Sequence, residues 1–481
     1  MSKTTYQNNY LKSDIFLKKS GILAISSILK FFSQFVIIIL ASRKLDLEQY
    51  GTYQSFWMYL NIFNVISLFG INNLSLSTSL SELLFWIKKF KKILILSTLF
   101  LNLIFITLLF FSKNYFNSTS VILILILLFF QNIAQVSEVF AIKKEKLFKV
   151  FFSNIIYTIL FVIANVYSFY YVYSFNVLLV LIIIITVFKI PILFDKTKSI
   201  KFVNTNNNTN ISKQWLYLGL NDVLGIFVKW IDKYIVLLLL PASQFAIYFN
   251  GTFEIPIFLL LLSAVGNISL VELSKNVNIN VEVVKTIFNK SSLILASIAF
   301  PSFFFLMFYC DKLFLLLLGY KYLLSIPIFK ISLLIIPVRI VYSTVLLQVY
   351  NKSNLILKGS ILDLIASIIF MLMLYPIMRI NGLVLSFVIA TYIQVGYYIW
   401  HTCKLLNINI YYLFNFPKLI IIFFTSFICI GFLKYCTEKI NNDLSALVCG
   451  CSFFLIILSI FILLVSFYWI KDKNYKNEVE V

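Results

Sequence analysis

The sequence is poor in nearly everything a soluble enzyme uses. Charged residues make up 12% of it, against roughly a quarter in soluble domains. The only histidine is His401, and the arginines are Arg43, Arg339 and Arg379. Six cysteines (Cys310, Cys403, Cys429, Cys436, Cys449 and Cys451) lie in or beside apolar runs, and no two stand in C-x-x-C spacing. That poverty of ligands argues against zinc and iron–sulfur sites, so no metal and no cofactor is expected. No G-x-x-x-x-G-K loop occurs, which argues against direct ATP drive. No stretch between apolar runs on the expected outer side is long enough to carry catalytic groups, so an enzyme is not expected. The net charge of +21 comes from lysines that form no basic face or arm, which argues against nucleic acid as a partner.

What the chain has in abundance is apolar length. Hydrophobic residues are 61% of it, and one apolar stretch follows another almost to the C-terminus. A bilayer-spanning helix needs about 20 apolar residues. Only helix bundles and closed barrels satisfy their backbone in lipid. Barrel strands would alternate, whereas Val121–Phe130 and Val177–Phe188 are continuous, so helices are expected. Candidate spans are 20–41, 53–72, 93–112, 119–141, 150–171, 175–194, 214–239, 245–270, 291–309, 324–349, 356–376, 382–402, 417–435 and 445–470. The first holds Lys30 at its centre and lacks a cleavage motif, so it is read as an uncleaved helix.

Lysine placement orients these spans. With the N-terminus inside, inner segments hold Lys88, Lys89, Lys91, Lys92, Lys143, Lys144, Lys146, Lys149, Lys196, Lys198, Lys201 and Lys213, among others. Outer loops hold only Arg43, Lys44, Lys113, Lys312, Lys321, Arg379, Lys434 and Lys439. The positive-inside rule therefore favours an even number of spans, about fourteen, with both termini cytoplasmic. The polar stretch Asp195–Lys213, rich in asparagine, reads as an inner linker. It divides an N-terminal lobe (1–195) and a linker (196–213) from a C-terminal lobe (214–403) and two further helices with a tail (404–481). A faint repeat agrees with that division. Gln49-Tyr50-Gly51-Thr52-Tyr53 returns as Gln244-Phe245-Ala246-Ile247-Tyr248, as expected of parallel repeats about an axis along the membrane normal.

Charges at mid-bilayer cost about 2.5–3.5 kcal/mol each on the insertion scale. Lys30, Lys229, Lys233, Arg339 and Asp363 must therefore face a partner or a wet cavity. Ser26, Lys30, Ser33 and Gln34 share one face of the first span. That face is either a cavity wall aiming a cation at an anionic substrate, or the seat of a lysine paired with a neighbouring acid. The seventh span carries Asp222, Lys229, Asp232 and Lys233, spaced so that one face can hold salt bridges. Gly219 and Gly225 bracket Asn221-Asp222, where a bend or partly unwound turn is expected. Arg339 follows Pro337 near the middle of the tenth span. Its guanidinium can grip phosphate through two parallel hydrogen bonds, or pair with Asp363 in the eleventh. Glu254 joins Asp222, Asp232 and Asp363 as an ion-coupling candidate. Asn61 and Asn64 are read as cavity polar groups or as interhelical glue. Gln131, Gln135 and Glu138 line one face of the fourth span, with Glu138 expected in solvent near the inner edge. Lys189 and Lys330, close to span ends, are expected to snorkel.

Several motifs bear a family likeness. Gly21-x-x-x-x-Ser26-Ser27, Phe32-Ser33-Gln34, Leu40-Ala41-Ser42-Arg43-Lys44-Leu45 and Gln49-Tyr50-Gly51-x-Tyr53 together resemble the start of bacterial polysaccharide repeat-unit flippases of O-antigen type. These belong to the multidrug/oligosaccharidyl-lipid/polysaccharide exporter superfamily. Trp230-Ile231-Asp232-Lys233-Tyr234-Ile235 with Gln244-Phe245-Ala246-Ile247-Tyr248 is similar to the family's seventh and eighth helices, and Asn381-Gly382-Leu383-Val384 to its twelfth. The resemblance implies an all-α polytopic inner-membrane protein, with two six-helix lobes around a central cavity and two added C-terminal helices. It implies that undecaprenyl-diphosphate-linked oligosaccharide for O-antigen or capsule synthesis is moved to the periplasmic leaflet. Transport would proceed by alternating access coupled to protons or other ions, beside polysaccharide polymerase machinery. Cavity cations of the family bind the pyrophosphate and acidic sugars, a role that falls here to Lys30, Lys229, Lys233 and Arg339, with Gln34, Asn61 and Asn64 as polar lining. Asp222, Asp232, Glu254 and Asp363 depart from that pattern by offsetting the positive charge. The alternative is a cation-coupled multidrug exporter of the same fold, which would use those acids directly.

Reporter fusions test the topology. Fusions at Lys91, Lys146, Asn206 and Lys473 should report cytoplasm, and fusions at Glu48 and Ala242 periplasm. An outer location for Asn206 would break the six-plus-eight division and the parallel repeat with it.

Overall fold

In a computed structural model of the chain, residues 28–78, 82–92, 96, 116–144, 146–172, 174–193, 208–253, 255, 261–262, 265–266, 268–270, 272–273, 281–350 and 352–479 are described. Side-chain detail excludes 208–210, 353 and 466–479. Ser26, Glu254, Asn206, all of the expected span 93–112 but residue 96, and much of 245–270 lie outside the described residues. Among those described there is no strand. Eight helices among the described residues are long and apolar enough to cross a membrane, and counting one bent pair as a span gives nine. The protein is thus an all-helical, multi-pass membrane protein. It forms two compact units, Met1–Trp230 with Leu237–Ala246, and Ile231–Val236 with Ile247–Val481.

The first unit begins with α1 (28–44) and α2 (Leu47–Leu68). It continues through α3 (Ile71–Ser77), α4 (82–92), α5 (Ser118–Lys143), α6 (Leu147–Tyr167) and α7 (Phe175–Leu193), and takes in much of α8 (Asn208–Leu239) and the start of α9 (Ala242–Gly251). A capping box starts α2: the Asp46 carboxylate accepts from the Gln49 N–H at 2.7 Å, and the Gln49 side chain accepts from the Asp46 N–H at 3.4 Å. The expected span 53–72 is interrupted at its end. Phe69 (φ 33°) and Gly70 (φ 76°) are both left-handed, and α3 leaves α2 at 52°. Gly70 cannot be replaced lightly, because a Cβ there would stand 2.5 Å from the Gly219 backbone nitrogen. Gly219 in turn makes room for the Phe69 ring, which a Cβ would meet at 2.4 Å. This corrects the expected unwinding of α8. The helix runs unbroken through Gly219 and Gly225, and the break lies instead in the segment packed against it. The Lys143 ammonium donates to the Ser75 and Thr78 carbonyls, closing the C-terminal end of α3.

The second unit is organised on α10 (Val281–Leu317), 37 residues and so about 55 Å long. Of its apolar stretch 72% is buried, against 6% for the final span, so α10 is a central strut. It passes α11 (Ser325–Leu333), α14 (Phe416–Glu438) and α15 (Asp443–Val479). Phe304 packs on Phe423 and Phe427 of α14 at 4.9 and 5.3 Å, and Phe305 stacks on Phe454 of α15 at 4.3 Å. Two further helices, α12 (Ser353–Met378) and α13 (Ile380–Leu406), form a tight antiparallel pair. Their turn places Arg379 at φ 50°, and a Cβ on Gly382 would stand 2.4 Å from the Leu374 carbonyl oxygen. Gly382 is therefore demanded by backbone approach. The expected tenth span, 324–349, is not one helix. After α11 comes a 3₁₀ turn, Ile336–Ile340, then extended Val341 (φ −122°, ψ 122°) and the short helix Val345–Val349. Pro337 supplies no N–H for the helical ladder and stands at the start of that 3₁₀ turn.

Glycine substitutions distinguish the observed break from the expected one. Gly70→Ala should lower the melting temperature of the detergent-purified protein, since a left-handed non-glycine residue costs about 1–2 kcal/mol before any clash. Gly225→Ala meets open space in a continuous helix and should be neutral or stabilising by up to about 1 kcal/mol. A lower melting temperature for Gly225→Ala would show that α8 does unwind there.

Candidate functional site

A stripe of polar residues on α5 knits the first unit together. Asn132, Gln135 and Glu138 recur every third residue and share one side of that helix. Asn132 accepts the Asn64 amide of α2 at 3.0 Å, and Gln135 accepts the Asn72 amide of α3 at 3.3 Å. Glu138 gathers the most. One oxygen accepts Lys30 of α1 and Asn154 of α6, each at 3.0 Å. The other accepts Lys189 of α7 at 2.6 Å. The Lys189 ammonium also lies 5.1 Å from the centre of the Tyr157 ring, a cation–π contact.

Two expectations are thereby corrected. Glu138 is not a solvated edge residue, since its side chain is only 17% exposed and holds two cations. Lys189 does not snorkel, being 9% exposed with its ammonium turned inward to Glu138. A carboxylate and a stacked ring within reach outcompete a distant interface, because an unpaired charge in hydrocarbon is so costly. Sequence reasoning passed over Asn132 and Asn154, and set Lys189 aside as a snorkelling residue. The available signal was the i, i+3, i+6 spacing of α5 inside an otherwise apolar helix. Its partners lie up to 108 residues away and leave no local pattern.

The sequence-derived candidates separate on this frame. Lys30 belongs to the Glu138 cluster but keeps 37% of its side chain exposed. Gln34 is exposed one turn on, while Ser33 is buried and donates to the Lys30 carbonyl. Asn64 is an interhelical tie, whereas exposed Asn61 donates to the Trp57 carbonyl of its own helix. Asp222 accepts the Asn73 amide at 2.8 Å. Lys229 is exposed, its ammonium 5.7 Å from the Trp230 ring centre.

In the second unit, Asp232 has one oxygen 3.3 Å from Lys233 and 3.1 Å from the Tyr248 hydroxyl, which donates to it. Its side chain is 2% exposed, and its other oxygen has no hydrogen-bond partner among the described residues. The ion pair of this stretch of α8 is thus made by adjacent residues. The repeated motif behaves alike in both copies. Tyr50 and Phe245 are fully buried, and Tyr53, like Tyr248, donates to a buried acceptor, Asn165 at 3.0 Å. Arg339 lies in the 3₁₀ turn rather than in a helix. Asp363 is buried in α12, and its Oδ1 has no hydrogen-bond partner among the described residues. Lys330 does not simply snorkel: it reaches Asp311 of α10 at 3.2 Å. Among the described residues no cluster of metal-ligating side chains occurs.

No family model and no curated protein matches the chain. Solved structures do. The lipid II flippase MurJ, in an inward closed conformation, overlays with a TM-score of 0.68 at 15% identity, covering 95% of this chain and 99% of its own. An inward-facing multidrug resistance MATE family transporter of the MOP superfamily overlays with a TM-score of 0.56 at 13% identity, covering 80% of this chain and 98% of its own. The fold is therefore that of MurJ and MATE proteins. Both of those proteins are transporters by description rather than catalysts.

The Glu138 cluster makes a stability prediction. Lys189→Met should lower membrane abundance and melting temperature more than Lys30→Met, by about 1–3 kcal/mol, because Lys189 is the inward partner. Lys189→Met combined with Glu138→Gln should recover part of that loss, since it removes the enclosed pair whole but leaves the partly exposed Lys30 without its carboxylate. A double variant no better than Lys189→Met would mean that the pair itself is not what the packing needs.

Proposed function

We propose that the chain flips undecaprenyl-diphosphate-linked oligosaccharide across the bacterial inner membrane for surface polysaccharide synthesis. Transport proceeds by alternating access, is coupled to an ion gradient, and delivers product to polysaccharide polymerase machinery; both termini face the cytoplasm. The observation that carries this reading is the extent of overlap. A flippase of a lipid-linked substrate matches end to end, whereas the multidrug transporter leaves a fifth of this chain unmatched. The excess of lysine agrees, because a diphosphate headgroup must be met by cations. On this reading Lys30, Lys229, Lys233 and Arg339 attract the headgroup, and the lobes 1–195 and 214–403 do the moving.

A second reading, a cation-coupled drug exporter, draws on Asp363, buried and without an ion pair among the described residues. Arg339 separates the two. A guanidinium matches two phosphate oxygens at once, whereas an ammonium keeps only the charge. For a flippase, Arg339→Lys should retain partial export and Arg339→Ala almost none. For a drug exporter, function should survive Arg339→Ala and fail with Asp363→Asn. The measurement is surface polysaccharide in a flippase-deficient host, beside drug resistance and membrane abundance. Wild-type polysaccharide from a normally abundant Arg339→Ala protein would remove the phosphate-binding role.

A further inference from the structure

The Glu138 cluster holds two ammoniums and one carboxylate, so it carries one positive charge more than it neutralises. The two lysines are not equivalent. Lys189 is enclosed, 2.6 Å from one Glu138 oxygen and packed on Tyr157. Lys30 is more than a third exposed, and the one polar contact of its ammonium among the described residues is with the other Glu138 oxygen, at 3.0 Å. An ammonium has three donors. One is spent on Glu138, which leaves two for a ligand arriving from the exposed side.

We infer that Lys30 is an exchangeable cation, held by Glu138 while the carrier is empty and yielded to the phosphates of a lipid-diphosphate headgroup when cargo binds. Lys189 and Glu138 are positioning residues in this scheme. Lys189 keeps the carboxylate in place after Lys30 departs, so cargo binding orphans no acid. Asn154 continues to donate to the oxygen that Lys30 has left. When cargo leaves, Glu138 takes Lys30 back, so the empty carrier never returns with an unpaired charge in the membrane. A carboxylate competing for the same cation also limits how tightly the headgroup is held, which favours release. The inference rests on the flippase reading for the identity of the anion.

Binding of farnesyl diphosphate to the full chain in lipid nanodiscs, followed by calorimetry, tests it. Lys30→Met should weaken binding at least tenfold, and Lys30→Arg should stay within about threefold of the unsubstituted protein. The discriminating variant is Glu138→Gln with Lys189→Met. It keeps the cluster at one net positive charge, yet leaves Lys30 without a competitor, so binding should tighten by about threefold to tenfold. A purely structural cluster predicts unchanged or weaker binding in that double variant, and such a result, or indifference to Lys30→Met, overturns the inference while the flippase reading stands. Absence of farnesyl diphosphate binding by the unsubstituted protein would overturn both.

Discussion

A charge in hydrocarbon must be answered by another polar group, and in this protein the answer is concentrated on Glu138. Four helices meet there through Lys30, Lys189, Asn154 and the carboxylate itself. With α5 so anchored, its remaining polar residues fix α2 and α3 at Asn64 and Asn72. Apolar packing alone would not select this arrangement, since lipid tails are as apolar as leucine and offer helices little reason to associate. Polar pairs set the register, and small residues such as Gly219 then let the backbones close.

The same constraint explains where helices break. A broken helix exposes backbone groups that lipid cannot satisfy, so breaks are tolerated only where neighbours enclose them. Phe69-Gly70 turns against α8 with no room for a side chain, and Ile336–Ile340 follows α11, whose Ser332 hydroxyl donates to the Gly251 carbonyl. Arg339 owes its setting to the second break. A residue expected on a smooth helix stands instead in a 3₁₀ turn beside extended backbone, a more adaptable mount for a side chain proposed to meet cargo.

The two units deploy charge differently. In the first, cations outnumber the acid they share. In the second, Asp232 and Asp363 are buried, each with an oxygen lacking a hydrogen-bond partner among the described residues. Such groups are commonly functional in membrane proteins.

Much of the fold was legible in the sequence because a membrane helix answers to a local rule. Some twenty apolar residues in a row must be helical, and the spans anticipated at 119–141, 150–171, 356–376, 382–402 and 417–435 lie within helices Ser118–Lys143, Leu147–Val172, Asn354–Met378, Ile380–Leu406 and Phe416–Glu438, while 175–194 matches Phe175–Leu193 up to the end of the described residues. Lys30 could likewise be singled out, since one lysine amid an apolar run is conspicuous. Its partner was not legible. Lys30 and Glu138 are 108 residues apart, Lys189 and Glu138 are 51 apart, and no periodicity links residues on different helices. Gly219 and Gly225 looked alike as helix weakeners, yet one faces a phenylalanine ring and the other open space. Sequence by itself determined that the chain is helical, spans a membrane and must shelter a few charges. Only tertiary structure decided which charges shelter one another, because a salt bridge depends on distance in space, and distance between helices is set by packing.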